Sequence, residues 1–196
     1  MKIGIFGGTF DPIHNAHITI AKYAKKEYML DKLIIMPCGN PPHKATITDK
    51  YIRYEMAKLA SDGDFEVNDF EIKREEYSYT LSTLIHFKEK YPDDKLYLII
   101  GEDSLSDINS WYKPYEIIKL CTLLVFPRKD MSSLENEISK IQEQLGGVIF
   151  PINAPVMNIS STNIRKRIQM GQNISDVVPK NVVKYIEDNN VYTNRN

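Results

Sequence analysis

Two histidines lie near the start of the chain, shortly after a pair of glycines. The stretch GIFGGTFDPIHNAH spans residues 4–17 and contains Gly7, Gly8, His14 and His17. Glycine lets a backbone approach a ligand closely, and the amides of such a bend bind phosphate together with the N-terminus of a following helix. An imidazolium can stabilise the negative charge that grows during phosphoryl transfer. The stretch therefore indicates a phosphate-binding turn, and we expect both imidazoles to be charged mainly when a polyphosphate is bound.

Two other kinds of site fit this stretch less well. A metal site needs further ligands, and no third ligand is apparent near the two histidines. A dinucleotide-binding turn would read GxGxxG and would be followed by an acidic residue at the end of the second strand. Here residues 4–8 read GIFGG, and the second apolar run ends in Met-Pro-Cys at residues 36–38. A resident NAD cofactor is therefore disfavoured.

The elements that must position these residues alternate between apolar strands and amphipathic helices. Continuously apolar strands that alternate with helices predict an α/β fold, an open, mainly parallel Rossmann-like sheet with helices on both faces. We expect one domain over residues 1–196. Strands are predicted at Lys2–Phe6, Lys32–Pro37, within Phe65–Lys73, and at Lys95–Gly101, Cys121–Pro127 and Val148–Phe150. Helices are predicted from about Asn15, at Ile52–Ala60, Leu81–Lys88 (with Ser78 and Thr80 as N-cap candidates), Ser133–Leu145, Ser161–Met170 and Lys180–Asp188.

The residues best suited to chemistry follow predicted strands. Residues 7–17 follow the first strand, residues 39–44 the second, and residues 101–103 a later one. Ligands of open parallel sheets bind beyond the carboxyl ends of the strands, where the strand order reverses. We therefore expect these three segments to form one site.

The overall composition is that of an ordinary globular protein. Among 196 residues, 42% are hydrophobic, and 25 Lys plus Arg balance 26 Asp plus Glu. The balanced charge disfavours nucleic acid and anionic membranes as partners, but a balanced total is compatible with a local basic patch. No apolar run is long enough to span a membrane. Cys38 and Cys121 have no ligand spacing and are expected to be free thiols in the cytoplasm.

Six short motifs, taken in order, extend the reading of the opening stretch. GGTFDPIHNAH resembles the GGTFDPxHxGH signature of nucleotidylyltransferases with an HxGH motif. With the further segments, the chain resembles the bacterial nicotinate-nucleotide adenylyltransferases, which make deamido-NAD from ATP and nicotinate mononucleotide. The end of the chain, VPKNVVKYIEDNNVY, is similar to the C-terminal helix of that family. The further segments are PPHK (41–44), SYT (78–80), GED (101–103), WYK (111–113) and ISSTNIR (159–165).

The resemblance implies an ATP site with Mg²⁺ bound on the ATP phosphates rather than by the protein. The chain departs from the family pattern at two positions. Ala16 stands where HxGH has glycine, and Ser82 stands where aspartate is usual. The catalytic residues that the resemblance implies are His14, His17, Lys44 and Arg165. The ATP-binding residues that it implies are Gly7, Gly8, Thr9, Phe10, His14, His17, Gly101, Asp103, Ser160, Ser161, Thr162 and Arg165.

The same resemblance implies a second subsite, for nicotinate mononucleotide. Trp111 would stack on the pyridine ring, and Thr80 and the backbone near Tyr112 would meet the nicotinate carboxylate. Lys44 would reach a phosphate, and Asp103 would accept hydrogen bonds from a ribose. An enzyme that joins two phosphates in this way needs no general base, because the attacking phosphate is already an anion.

Three other functions stay open at the level of sequence. The first is a related adenylyl- or cytidylyltransferase with another acceptor, such as phosphopantetheine, which SYT and WYK disfavour. The second is a non-catalytic nucleotide-binding module, which the intact His14, His17 and Arg165 disfavour. The third is a nucleic-acid-binding protein, which the balanced charge disfavours. The sequence leaves open whether the chain forms a homo-oligomer and how strongly it prefers nicotinate over nicotinamide.

Overall fold

A computed structural model describes residues 1–42, 46 and 48–193. Within this part of the chain, six strands form one sheet in the order β3-β2-β1-β4-β5-β6, and every pair of neighbours is parallel. The strands are β1 (Lys2–Gly8), β2 (Lys32–Pro37), β3 (Glu66–Val67), β4 (Lys95–Gly101), β5 (Thr122–Phe126) and β6 (Ile149–Pro151). The helices are α1 (Asn15–Glu27), α2 (Lys50–Ser61), α3 (Thr80–Lys90), α4 (Glu102–Ser106), α5 (Pro114–Leu120), α6 (Met131–Leu145), α7 (Ser161–Gln169) and α8 (Lys180–Asp188).

Each face of the sheet is covered by its own apolar core. Successive strand residues point to opposite faces, so Ile3 and Ile5 of β1 join one core and Phe6 joins the other. The four strands β1, β2, β4 and β5 are buried along most of their length. This explains why they read as continuous apolar runs, and it confirms the predicted open parallel sheet with helices on both faces.

The strand order reverses between β1 and β4. The chain moves outward from β1 through β2 to β3, then crosses back to β4 and moves outward again through β5 to β6. At such a point the connections after β1 and β4 leave in opposite directions and open a crevice at the carboxyl edge of the sheet. The segments after β1 and β4 that the sequence singled out therefore face one another.

The bend after β1 lies later than the diglycine suggests. Gly7 and Gly8 both belong to β1, and the chain turns over the next residues, where Phe10 has a φ of 50°. A Cβ on Gly8 would lie 2.8 Å from the Phe10 ring, so this glycine makes room for the ring. A Cβ on Gly7 would meet no atom within 4 Å, so the strand leaves open space there.

The predicted N-cap residues of α3 were wrong. Ser78 and Thr80 do not cap α3, whose N-cap is Tyr79 without a side-chain cap. The Ser78 hydroxyl instead accepts hydrogen bonds from the amides of Gly39 (3.1 Å) and Asn40 (3.2 Å), so it joins two loops. Within Phe65–Lys73 the structure has one short strand, the edge strand β3, so the strand predicted in this segment is confirmed.

The sequence also gave no indication of α4 and α5, which are short. Helix α4 begins directly after β4, and only Cys121 separates α5 from β5. Cys38 and Cys121 are free thiols, as expected. In the part of the chain that the structure describes, no helix is long and apolar enough to cross a membrane.

Candidate active site

Two adjoining cavities open at the carboxyl edge of the sheet. The larger has a volume of about 650 Å³ and lies between the bend after β1 and the start of α7. The smaller, of about 400 Å³, lies between the ends of β1 and β4 and reaches Trp111. The residues that line both cavities are Thr9, Phe10, His17, Asp103, Phe126 and Arg128. A molecule in one cavity would therefore lie against a molecule in the other.

A buried arginine holds the bend after β1 in place. Arg53 on α2 is 0% exposed, and its guanidinium donates to four backbone carbonyls. They are the carbonyls of Thr9 (2.8 Å), Cys38 (2.6 Å), Gly39 (2.9 Å) and Thr48 (3.2 Å). Because one side chain joins the loops after β1 and β2, neither loop can move independently. The sequence places Arg53 inside a predicted helix, so its role was missed.

Helix α7 and the end of the chain are tied to the same bend. The Ser161 hydroxyl donates to the carbonyl of Pro12 (2.9 Å), and Arg165 donates to the carbonyl of Asp11 (2.7 Å). The Tyr192 hydroxyl donates to Oδ1 of Asp11 (2.7 Å). These contacts bring the helix N-termini of α1 and α7 to one cleft, and helix N-termini favour anions. Tyr192 was not among the residues singled out from the sequence.

The two histidines stand side by side at the start of α1. His14 is the N-cap of the helix, and its ring stacks on that of His17 with centroids 3.6 Å apart. The Nδ1 atom of His17 accepts a hydrogen bond from the backbone amide of His14 (3.2 Å). A neutral imidazole that accepts at Nδ1 carries its proton on Nε2, so His17 keeps a donor for a ligand. For Nδ1 of His14, which is buried, no partner is found among the described residues.

Both imidazoles are neutral near pH 7 in the ligand-free protein. Burial, helped by the positive charge of Arg128, lowers the pKa of His14 to about 4. Desolvation, with His14 and Arg128 nearby, holds the pKa of His17 well below its usual value. A bound polyphosphate would bring negative charge to the rings and raise both pKa values. The expectation that the rings become charged on binding stays a prediction.

The smaller cavity is lined by the ends of several strands and by residues of the neighbouring loops and helices. Thr80 and Trp111 line it, together with Gly7, Gly8 and Gly101. A side pocket of about 150 Å³ continues from it and is lined by Ser78, Tyr79, Thr80, Trp111 and Tyr112, among others. The residues singled out for the nicotinate end of the acceptor thus lie together. The three glycines, which the resemblance assigned to ATP, line this smaller cavity rather than the larger one.

Arg128 is a site residue that sequence reasoning missed. It follows β5 by two positions, and its Nε donates to Oδ2 of Asp103 (3.0 Å). Its backbone amide donates to Oε2 of Glu102 (2.8 Å), a buried carboxylate whose Oε1 accepts from the Ser133 hydroxyl (2.8 Å). The position of this arginine just beyond a buried strand, at the carboxyl edge of the sheet, was the available signal.

Glu71 is a second residue that the sequence did not reveal. Its carboxyl group is buried on the wall of the smaller cavity and accepts a hydrogen bond from Thr83 (2.6 Å). Burial raises the pKa of Glu71 above its usual value. The adjoining Gly39 cannot carry a side chain, because a Cβ there would lie 2.1 Å from the Glu71 carbonyl oxygen. Glu71 thus supports the wall of this cavity.

The structure places the remaining predicted residues as follows. Ser160, Ser161, Thr162 and Arg165 line the larger cavity with His14. Ser160 is the N-cap of α7 and accepts from the amide of Asn163 (3.2 Å). Lys44, predicted to reach a phosphate, lies outside the described residues. Among those described, no group of three or more His, Cys, Asp or Glu side chains could hold a metal ion.

The fold and the family of this chain are those of a nucleotidyltransferase. A family model described as cytidylyltransferase-like matches residues 5–167, and the chain belongs to this family. A solved structure titled Plasmodium falciparum nicotinic acid mononucleotide adenylyltransferase complexed with NaAD superposes with a TM-score of 0.80 at 22% identity, covering 97% of each chain. A second structure of that protein, complexed with APC, superposes with a TM-score of 0.76 at 21% identity, covering 97% of this chain and 96% of that one.

Curated relatives narrow the family further. A protein of Clostridium botulinum (strain Loch Maree / Type A3) named "Probable nicotinate-nucleotide adenylyltransferase" is 45% identical, with 96% of this chain and 97% of the relative covered. A protein of the same name from Clostridium novyi (strain NT) is 42% identical, with 97% and 98% covered. Within the cytidylyltransferase-like family, the chain therefore belongs to the nicotinate-nucleotide adenylyltransferases. The resemblance drawn from the six motifs is confirmed.

Proposed function

We propose that this chain transfers the adenylyl group of ATP to nicotinate mononucleotide, releasing pyrophosphate and forming deamido-NAD. One observation supports this most directly. Two cavities share six wall residues at the switch point of the sheet, so two substrates would meet there with His17 between them. The names of the relatives supply the identity of the two substrates.

ATP occupies the larger cavity in this proposal. The N-termini of α1 and α7 face this cleft, and the ends of helices that carry unpaired amides favour a polyphosphate. Arg165 uses part of its guanidinium on Asp11 and on the Thr162 hydroxyl (3.3 Å), and its other N–H groups can bind phosphate oxygens. His14 and His17 lie against the inner phosphates. Ala16 also lines the cleft. Because its side chain is a single methyl group, it narrows the site only slightly.

The acceptor occupies the smaller cavity. Its pyridine ring stacks on Trp111, and its carboxylate lies near Thr80 and Tyr112, where the side pocket begins. Asp103 lines both cavities and can accept a hydrogen bond from a ribose hydroxyl. Lys44, which lies outside the described residues, is assigned to a phosphate on the basis of the resemblance alone.

The reaction is a direct in-line displacement. A phosphate oxygen of nicotinate mononucleotide forms a bond to the α-phosphorus of ATP. The bond from that phosphorus to the oxygen that bridges to the β-phosphate breaks, and its electron pair leaves with pyrophosphate. No proton must be removed from the nucleophile. The protein aligns two anions and stabilises the charge that grows on the phosphate oxygens, chiefly through helix amides and the two histidines.

Magnesium is proposed to bind with ATP. Mg²⁺ keeps several waters and is often held by substrate phosphates with only one or two carboxylates. Asp103 is the carboxylate of this chain that lines both cavities, and it already pairs with Arg128. The donor set therefore fits an ion bound mainly by the nucleotide. When bound, the ion would neutralise charge on the triphosphate.

The test is to supply ATP and Mg²⁺ with each of three acceptors and to identify the products by mass. The acceptors are nicotinate mononucleotide, nicotinamide mononucleotide and phosphopantetheine. We expect deamido-NAD and one equivalent of pyrophosphate from the first. Dephospho-coenzyme A alone would assign the chain to another reaction of the family. If no pyrophosphate is released with any of the three acceptors, the proposal is contradicted.

A further inference from the structure

Carboxyl groups outnumber guanidinium and ammonium groups among the described residues that line the smaller cavity. Two carboxyl groups, those of Glu71 and Asp103, line it. Among its described lining residues, Arg128 alone carries a guanidinium or ammonium group. A mononucleotide acceptor brings a phosphate that is an anion at neutral pH, so its binding requires compensating positive charge. Resting on the function proposed above, we propose that Arg128 binds the phosphate of the acceptor mononucleotide and holds it against the α-phosphate of ATP.

The backbone of Arg128 is firmly anchored. Its amide is held by Glu102, which is buried and is itself bonded to Ser133 at the start of α6. Phe126, which ends β5, lies under the guanidinium, with the ring centroid 5.6 Å away. The base of the side chain is therefore fixed relative to the sheet. The side chain itself remains 49% exposed, so its far end is open to a ligand.

The guanidinium has donors to spare. Arginine carries five N–H groups, and the structure shows one of them, on Nε, donating to Asp103. The two terminal nitrogens can bind two oxygens of one phosphate in the forked geometry that suits arginine. The pair with Asp103 is exposed on both sides, and such pairs contribute little to stability. Sharing the guanidinium with a phosphate is therefore inexpensive, and it leaves Asp103 free to turn toward a ribose.

The position of Arg128 favours the acceptor phosphate over the ATP phosphates. The larger cavity already contains two other cationic side chains, Arg165 and Lys129, and the N-terminus of α7. Arg128 stands at the boundary of the two cavities, where the nucleophilic oxygen must lie. It transfers no proton there. It offsets the repulsion between two anions as the new bond to the α-phosphorus forms and pyrophosphate leaves.

The test compares three variants by calorimetry and by kinetics. Arg128→Ala removes the charge and Arg128→Lys keeps it without the fork. Arg167→Ala is the matched control, because Arg167 also pairs with an exposed carboxylate, Asp176, but lines neither cavity. The ligands are nicotinate mononucleotide and nicotinate riboside, which lacks the phosphate. Thermal unfolding of each variant verifies that it is folded.

We expect Arg128→Ala to bind nicotinate mononucleotide at least about tenfold more weakly than the wild type, with Arg128→Lys between them. Binding of the riboside should be equal in the wild type and in Arg128→Ala. The KM for ATP should change less than about threefold, while kcat/KM for the acceptor falls about 100-fold. Arg167→Ala should match the wild type throughout.

Three results would overturn the inference. They are unchanged binding of the mononucleotide by Arg128→Ala, an equal loss of riboside binding, and a rise in the KM for ATP with none for the acceptor. The binding comparison does not depend on turnover. A wild-type chain that binds the mononucleotide but forms no dinucleotide therefore refutes the proposed function alone, and the variants still decide the role of Arg128. A wild type that does not bind the mononucleotide refutes both.

Discussion

The two cavities of the active site are held together in different ways. The wall of the larger cavity is held by side chains that donate hydrogen bonds to the backbone of the bend after β1. Arg53, Ser161 and Arg165 each donate to a carbonyl of that bend. The smaller cavity has Glu71 and Ser78 as polar supports, and its other side is made of exposed or half-buried aromatic rings such as Trp111 and Tyr112.

This difference follows from what each subsite must do. Stabilising a transition state requires amides and charges that are already in place, because reorganising them during the reaction would cost energy. Binding the acceptor requires a fitted surface that can distinguish one ring substituent from another. In the proposed arrangement, rigidity near the α-phosphate and shape near the pyridine ring are separate properties, located in separate parts of the fold.

Arg53 provides the most severe test of the rigid half. Arg53→Met keeps an apolar stem of similar length but leaves four backbone carbonyls without their donor, one in the bend after β1 and three in the loop after β2. Breaking buried charged interactions of this kind typically costs about 3–5 kcal/mol. We expect a loss of that size in the free energy of unfolding, measured by urea denaturation.

The matched control for Arg53 is an arginine on the surface. Arg74 pairs with Glu76 and is 41% exposed, so Arg74→Ala should change the free energy of unfolding by less than about 0.5 kcal/mol. A loss below about 1 kcal/mol for Arg53→Met would contradict the view that this side chain holds the phosphate-binding bend. The contrast between the two halves would then disappear.

A pair of substitutions separates catalysis from acceptor binding. His17→Ala removes a donor at the boundary of the cavities, and we expect kcat to fall about 10²–10³-fold with little change in ATP binding. Trp111→Ala removes the stacking surface, and we expect the acceptor KM to rise about tenfold while kcat changes only a few fold. Steady-state kinetics with each substrate varied in turn measures both.

The comparison of the two halves would fail if these kinetic signatures were exchanged. A variant of His17 that weakened ATP binding as much as it slowed turnover would show that the ring binds the ground state. A variant of Trp111 that slowed turnover without changing the acceptor KM would show that the aromatic wall takes part in alignment.

The sequence predicted the rigid half better than the other half. Residues 4–17 are contiguous, so the spacing of the histidines placed both rings at the start of one helix, and the structure has both lining the larger cavity; phosphate binding there stays a prediction. Alternation of apolar strands with helices was sufficient for the parallel sheet. Arg53 could not be recognised, because a helical arginine looks the same whether it faces water or four carbonyls.

The acceptor half is dispersed along the chain, and this limited its prediction. The SYT and WYK segments indicated Thr80, Trp111 and Tyr112 only through a resemblance, since no local pattern brings them together. Arg128 became visible only when β5 was placed beside β4, which sets it against Asp103. Non-local pairing determined both the cavity and its charge.

The last prediction concerns pH, and it arises in the rigid half. Burial depresses the pKa of His14 to about 4, against 6.5 for the unfolded chain, so the folded state resists protonation of this ring. As the pH falls below 6.5 the unfolded chain takes up a proton that the native chain does not, and stability decreases until the pH reaches about 4. For His14 alone the loss is about 2 kcal/mol at pH 5, and His17, whose pKa is also lowered, acts in the same direction.

Urea unfolding of the wild type and of His14→Gln between pH 7 and 5 isolates the contribution of His14, because glutamine does not titrate. Equal pH slopes in the two proteins would show that the pKa of His14 is the same in the folded and the unfolded chain, so that burial does not disfavour the charged ring in the cleft.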